Sequence, residues 1–158
     1  MTIRAAVVTD IDAMAALSDA KRKQYAQYQP VFHNPADNAL ELQKPFLATQ
    51  LERANNICLV HEAADGIITG FVIATVHDAP PVYNPGGKVC GVDDFCVASA
   101  EGWQEIGQML LAAVWELARD SGAVLNIVVC GPQDAAKRDM LAELGYSVAS
   151  EWFVKDLI

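Results

Sequence analysis

Residues 88–118, KVCGVDDFCVASAEGWQEIGQMLLAAVWELA, decide the fold of this chain. The first ten carry apolar β-branched or aromatic residues, as a half-buried strand prefers, and a loop begins at Ser99 or Ala100. From Trp103 onward the apolar residues recur every three or four positions, which predicts a helix with Gly107 in its first turn. A strand that leads into a glycine-bearing helix start favours anion binding, because unpaired N–H groups and the helix dipole meet there.

Length and composition narrow the class of protein. The chain has 158 residues with 53% apolar content, which predicts one globular domain over residues 1–158 with a substantial core. It has no apolar run long enough to span a membrane and no signal-peptide core, so we expect a cytoplasmic protein. The formal net charge of −9 disfavours nucleic acid and anionic membranes as partners. Four cysteines without CxxC spacing indicate buried reduced thiols, and we expect no metal.

Over the whole chain, the predicted elements follow the order strand, helix, helix, three strands, helix, strand, helix, strand. We expect Thr9 to cap the first helix, Pro45 to split the second helical region, and Asp65-Gly66 to close a hairpin. Residues 78–87 are a loop, and residues 146–157 alternate as a closing strand. This order predicts an α+β (mixed α/β) fold with both hairpins and crossovers.

The order of elements resembles the GNAT superfamily of acyl-CoA-dependent N-acetyltransferases over essentially the whole chain. The resemblance is carried by DDFCV followed by EGWQEIGQMLL, residues 93–97 and 101–111, and by LAELGY at 141–146, which is similar to the family's aromatic-x-x-L-G-F ending. It implies a mostly antiparallel sheet of six to seven strands with one parallel splayed pair and about four flanking helices. It also implies that acetyl-CoA is the cofactor, held by amides of the helix start and of the strand. The residues it assigns to cofactor binding are Phe95, Cys96, Val97, Gly102, Trp103, Gln104, Glu105, Ile106, Gly107, Gln108 and Gln133.

Three positions depart from the family pattern. Gly102 stands where Arg or Gln is usual, and Glu105 stands where a glycine is usual. A carboxylate beside a pyrophosphate costs on the order of 1 kcal/mol unless it turns to solvent, although the backbone N–H donors of the loop remain. Leu141 occupies the place of a tyrosine that protonates the leaving thiolate in many members, and leucine has no proton to give.

Acetyl transfer to an amine needs a group that removes a proton, and Asp93 and Asp94 are the carboxylate candidates. Adjacent strand residues face opposite sides, so at most one of the two faces the acceptor, and a salt bridge or turn role is an equal alternative. His77, after the third predicted strand, is a further candidate for the base on the acceptor side. Alternatively, it is a surface histidine with no role in the site.

The segment that shapes the acceptor pocket in the family contains an aromatic patch. Such a patch can bind an amine by cation–π contact, or can simply pack the first helix. The patch consists of Tyr25, Tyr28, Phe32 and His33. Together with His77, these residues are our candidates for substrate binding.

Three functions compete. The first is direct acetyl transfer from acetyl-CoA to a small-molecule or protein amine within a ternary complex. The second is a catalytically silent GNAT-like module that binds acyl-CoA or a protein partner, which the residues at 102, 105 and 141 favour. The third is a structural oligomer, in the simplest case a homodimer, that uses the closing strand as its edge.

Overall fold

The computed structural model describes all 158 residues. Its five strands form one sheet in chain order, β1 (Thr2–Ala5), β2 (Asn56–Glu62), β3 (Ile68–His77), β4 (Lys88–Val97) and β5 (Ala123–Val128). The pairs β1–β2, β2–β3 and β3–β4 are antiparallel, and β5 runs parallel to β4. The mixed α/β architecture and the parallel pair at positions β4 and β5 are confirmed, with five strands rather than six to seven.

Four α-helices cover the sheet, α1 (Ile11–Tyr28), α2 (Ala39–Glu52), α3 (Ile106–Asp120) and α4 (Ala135–Glu143). The α1 and α2 helices bury a small core that includes Met14, Leu47 and Phe71 on one face of the sheet. The α3 and α4 helices bury a larger core on the other face, where Leu110 and Met140 are fully buried. The strands between these layers carry apolar side chains on both faces, which explains the near-continuous apolar run of β3.

The two glycines predicted to form turns, Gly66 and Gly145, both adopt the positive φ that glycine favours. Gly66 adopts a φ of 84° in the tight turn between β2 and β3, as the Asp-Gly pair predicts. Gly145 has the same φ of 84° after α4. There the amide of Tyr146 donates to Leu141 O at 2.9 Å and the amide of Gly145 donates to Ala142 O at 3.0 Å, which is the Schellman pattern.

Several predicted boundaries are wrong. Thr9 does not cap α1, which begins after Asp10, whose carboxylate is occupied by Arg4 and by the Val7 amide. The α2 helix passes through Pro45 without a break, since an exposed proline removes only one of its hydrogen bonds. The α3 helix begins at Ile106, because residues 100–104 form a 3₁₀ turn first.

The predicted closing strand is absent, since no helix or strand follows Glu143. Residues 147–158 are exposed along their whole length, and Phe153 is 93% accessible. The alternation of residues 146–157 therefore does not correspond to a buried face. Trp152 instead meets Phe32 edge to face, with ring centroids 6.1 Å apart. No helix in the structure is both long and apolar enough to cross a membrane.

Candidate active site

The site begins where the parallel strands β4 and β5 separate. Their last paired residues are Val92 and Val128, and the amide of Val129 still donates to Val92 O at 3.0 Å. Beyond this point β4 continues for five residues with one edge unpaired. The Ala98 amide donates to Thr69 O, so the alternation of an antiparallel ladder turns the N–H groups of residues 95 and 97 toward the open edge. An extended ligand arm can therefore hydrogen-bond along this edge.

A β-bulge helps to produce the separation. Asp94 pairs with Ile73 and Val92 pairs with Ala74, which leaves Asp93 without a partner on β3. A bulge bends its strand and increases the local twist, and bulges are common beside active sites. Asp93 is exposed and Asp94 is half-buried, and neither carboxylate lines the cavity described next.

A cavity of about 550 Å³ opens at the carboxyl end of β4. Three walls enclose it: the face of α1 that includes Leu17 and Lys21, the β4 end with the loop that follows, and the N-terminal turn of α4. The predicted cofactor-binding residues that line this cavity are Cys96, Val97, Trp103 and Gln133, and Tyr28 of the predicted acceptor group lines it as well.

A buried hydrogen-bond cluster fixes the α4 wall to α1. The Tyr25 hydroxyl donates to Asp134 Oδ2 at 2.7 Å and accepts from the Gly131 amide at 3.2 Å. Asp134 also accepts from the Lys137 amide at the start of α4, as an N-cap residue does. Burial, reinforced by the Asp134 bond, raises the pKa of Tyr25 far above its usual range, so this hydroxyl stays protonated and keeps donating.

Lys137 is a functional candidate that the sequence-based reasoning missed. Its side chain is 1% exposed, and its ammonium donates to Val129 O at 2.8 Å, at the point where the two strands separate. The ammonium lies 5.0 Å from the centre of the Phe95 ring and 5.1 Å from that of Trp103. Burial lowers the pKa of Lys137 to about 8. The sequence held a signal, because this lysine interrupts the apolar stripe that Met140 continues on α4.

The start of α3 is tightly packed on its inner side. Gly107 is buried, and a Cβ there would lie 2.8 Å from both Met140 Sδ and an indole carbon of Trp103. Gly107 therefore permits close contact between α3, α4 and the preceding turn. Glu105 is the exposed N-cap residue and makes no side-chain cap bond, and the first turn contains no acidic residue. The predicted anion-binding residues 102–108 thus have one buried face and a solvent face that includes Gln104 and Glu105.

The aromatic patch of the predicted acceptor side is assembled as one group. His33 meets Tyr25 and Phe32 edge to face at centroid distances of 5.2 and 4.8 Å, and Tyr28 lies 5.7 Å from Tyr25. Burial, with a smaller contribution from nearby Lys21, lowers the pKa of His33. Phe32 and His33 also line a second cavity of about 280 Å³ beside α2.

His77 is not brought into this site. It ends β3 and pairs with Val89, near the start of β4, whereas the cavity lies at the other end of β4. Eight residues of strand separate Val89 from Val97, or roughly 26 Å. His77 is exposed, and its Nδ1 contacts the carbonyl of Asp78.

The cysteines are all free thiols, two buried and two half-buried. Burial raises the pKa of all four, and Cys58 reaches about 11. Cys96 of β4 faces the α1 side, where its Sγ lies 4.0 Å from the Ser18 hydroxyl. Thiols in this protonated state are poor nucleophiles, so the cavity contains no activated cysteine.

Comparison of the chain with protein-family models and with curated proteins finds no match. Solved structures do match over nearly the full length. The BH1408 protein of Bacillus halodurans, in a mutant form, superposes with a TM-score of 0.88 at 15% identity and full coverage of both chains. A predicted acetyltransferase of Clostridium acetobutylicum with acetyl-CoA gives a TM-score of 0.72 at 16% identity, covering 99% of this chain and 96% of the other.

An aminoglycoside N-acetyltransferase, AAC(6')-Iy in complex with CoA, is a further match. It gives a TM-score of 0.69 at 16% identity, covering 99% of this chain and 95% of the other. Identities this low establish a shared fold and not a shared substrate.

Proposed function

The chain has the GNAT fold, and from that premise we propose that it is an acetyl-CoA-dependent N-acetyltransferase that transfers the acetyl group directly to a small-molecule or protein amine. The observation that carries this proposal is the cavity at the free edge of β4, beside the point where β4 and β5 separate. The residues present suit an extended acyl-thioester arm, since residues 95 and 97 offer backbone hydrogen bonds and the walls are mostly apolar.

Each side of the cavity has a separate task in this proposal. The α3 start, residues 102–108, supplies amides to the coenzyme A pyrophosphate, while Glu105 turns to solvent. Gln133, which donates to Tyr28 O at 3.2 Å, stands beside the arm on the α4 side. Coenzyme A supplies the activated acetyl group, and the free β4 amides polarise its carbonyl oxygen.

The amine is expected to enter from the α1 side, past Tyr28, Phe32 and His33. These rings offer apolar and π surfaces, and Lys21 already lies 5.8 Å from the centre of the Tyr25 ring in a cation–π contact. Asp93 and Asp94 remain the proposed carboxylates for amine deprotonation, with water connecting them to the acceptor because neither lines the cavity. The formal net charge of −9 suits a cationic amine substrate, and the proposal places the protein in the cytoplasm.

A catalytically silent module that binds acyl-CoA or a protein partner is the second candidate. The favouring observation is Leu141, which is 8% exposed and packed in the core, so no tyrosine hydroxyl is present there. The two candidates differ in turnover. Release of CoA thiol from acetyl-CoA across a panel of mono-, di- and polyamines supports the enzyme, whereas binding without release supports the silent module.

Binding is tested first by thermal unfolding with acetyl-CoA. At about 100 times Kd the ligand adds roughly 2.7 kcal/mol, which corresponds to about 5–10 °C for a chain of this size. Ala20 lines the cavity from the exposed face of α1, so Ala20→Phe should abolish the shift. Ala112→Phe, at an exposed α3 position outside the cavity, should retain it. No shift in the wild type at millimolar acetyl-CoA would refute the proposed function.

A further inference from the structure

The ammonium of Lys137 occupies the vertex of the gap between β4 and β5. It donates to the carbonyl of Val129, and the amide of Val129 makes the last hydrogen bond that joins the two strands. Beyond this vertex the free edge of β4 leads into the cavity. Trp103 lines the cavity and its ring centre lies 5.1 Å from the ammonium, so the ammonium lies behind this part of the cavity wall.

This cation is fully buried and has no carboxylate partner. An ammonium has three N–H donors, and Val129 O is the only hydrogen-bond acceptor that it contacts. The Asp134 carboxylate accepts from the backbone amide of Lys137 and from Tyr25, and forms no ion pair with Nζ. Burying a charge without a counter-ion costs free energy of desolvation. This cost points to an anion that binds near the ammonium when the protein is active.

Four charged or titratable groups on neighbouring elements act on Lys137. Lys21 on α1 disfavours the ammonium, while Cys96 on β4, Cys130 after β5 and Asp134 before α4 favour it. Both cysteines have raised pKa values and are neutral thiols at physiological pH. Asp134 is therefore the one carboxylate that acts on the ammonium, and it does so without a hydrogen bond or ion pair to Nζ.

Lys137 also lies one helical turn before Leu141, on the same face of α4. We propose that Lys137 donates the proton that converts the departing coenzyme A thiolate to a thiol, in place of the hydroxyl that residue 141 lacks. This inference rests on the proposed acetyltransferase function. In the step, the amine nitrogen bonds to the acetyl carbon, the carbon–sulfur bond breaks with its electron pair left on sulfur, and the Lys137 proton moves to sulfur. The proton lost by the amine restores the ammonium through solvent.

The acidity of the two groups suits this exchange. Burial places the pKa of Lys137 at about 8, and an ordinary thiol has a pKa of about 8.5. Proton transfer between groups of similar pKa near the working pH is efficient in either direction. A lysine in water, with a pKa of about 10.4, would be a weaker acid by more than two units.

The test compares binding of CoA and of desulfo-CoA, which lacks the sulfur atom, by calorimetry at pH 8. We expect the wild type to prefer CoA by roughly threefold, which is the gain in affinity at pH 8 when the pKa of a thiol is lowered by one unit from about 8.5. Lys137→Met, of similar length and without charge, should lose this preference while its affinity for desulfo-CoA is unchanged. Lys155→Met in the exposed C-terminal segment is the matched control and should behave as the wild type.

Turnover provides a second measurement. Lys137→Met should lower kcat by roughly 10²-fold or more with little change in KM for acetyl-CoA. Lys137→Arg keeps a charge that cannot be released, so it should retain the preference for CoA and still lose turnover. In the wild type, the preference for CoA should be greatest near pH 8, where a thiol of pKa about 8.5 begins to ionise, and should fall at higher pH as the ammonium deprotonates.

The outcomes separate the two proposals. An equal CoA to desulfo-CoA ratio in the wild type and Lys137→Met would overturn the role of Lys137 and leave the proposed function intact. Failure of the wild type to bind either ligand would overturn both. If neither Lys137 variant folds, the wild-type pH series decides, because a preference for CoA that does not change above pH 8 would overturn the inference.

Discussion

The hydroxyl of Tyr25 connects three parts of the site, and its removal is a sharp test of the architecture. Tyr25→Phe deletes one oxygen from a residue that is 7% exposed and leaves the ring in place. The change breaks the 2.7 Å bond to Asp134 Oδ2 and the 3.2 Å bond from the Gly131 amide. These two bonds hold the segment before α4, which forms one wall of the cavity, against α1.

The magnitude follows from the hydrogen bonds. A hydrogen bond to a charged group contributes about 1.5–3 kcal/mol, and an amide left without a partner adds to the loss. Asp134 is 5% exposed, so water replaces the missing donor poorly. We expect Tyr25→Phe to lower the free energy of unfolding by about 2–3 kcal/mol, which is about 4–12 °C in Tm for a chain of this length.

Thermal and urea unfolding measure this loss, with Tyr28→Phe as the control. Tyr28 lies one turn away, and its hydroxyl accepts from Gln24 at 2.7 Å in an exposed pair. Its removal should therefore change stability by no more than about 0.5 kcal/mol. A Tyr25→Phe variant as stable as Tyr28→Phe would refute the proposed role of the cluster. If acetyl-CoA binds as proposed, its affinity for Tyr25→Phe should also fall, because the α4 wall is released.

The pH dependence gives an independent check. Burial and the Asp134 bond raise the folded-state pKa of Tyr25 above its unfolded value of about 10. The contribution of the hydroxyl is therefore fully present below about pH 10 and is lost as the pH rises toward the folded pKa. The stability difference between wild type and Tyr25→Phe should stay constant from neutral pH to about 10 and then shrink. A difference that shrinks near pH 7 would contradict this assignment.

Two further variants test the packing and the electrostatics. Gly107→Ala places a methyl 2.8 Å from the Met140 sulfur, so it should lower the free energy of unfolding by about 1–3 kcal/mol in urea denaturation. Gly102→Ala, with its nearest contact at 3.6 Å, should cost nothing, and equal effects would contradict this packing. Asp10→Asn loses its paired hydrogen bonds with Arg4, which lower the pKa of Asp10, and should cost about 1–2 kcal/mol at pH 7. Because the folded-state pKa of Asp10 is lowered, its contribution is fully present above the unfolded value of about 4 and is lost as the pH falls toward the folded value. The cost of Asp10→Asn should therefore shrink below about pH 4 in acid unfolding, and a cost independent of pH would refute this role.

The fold could be predicted where local chemistry and tertiary contacts agree. The strand at residues 88–97, the Asp-Gly turn and the C-cap at Gly145 follow from side-chain pattern and from φ requirements alone. The predictions at Pro45 and at residues 146–157 were wrong because they assumed that local signals decide. A proline on an exposed helix face costs one hydrogen bond, and an alternating segment becomes a strand only where a partner strand is available.

The candidate site divides in the same way. The sequence predicted that the aromatic patch and the edge of the strand belong to the site. In the structure Tyr28 and Val97 line the larger cavity and His33 lines the smaller one. The sequence did not distinguish His77 from these residues, because the distance between opposite ends of β4 is a property of strand pairing. The roles of the cofactor-binding residues at 102–108 and of Asp93 and Asp94 stay predictions.

The sequence by itself determined the order of strands and helices as far as α4 and the departure at Leu141, because periodicity and residue chemistry are local properties. Only the tertiary structure decided how the parts of residues 88–118 are placed. The start of α3 packs through Gly107 against Met140 and Trp103, and β4 has an unpaired edge. The tertiary structure also decided that Lys137, a lone charge on an apolar stripe, lies at the vertex between two parallel strands. Burial, pKa and proximity depend on contacts between residues far apart in the chain, and no single segment contains them.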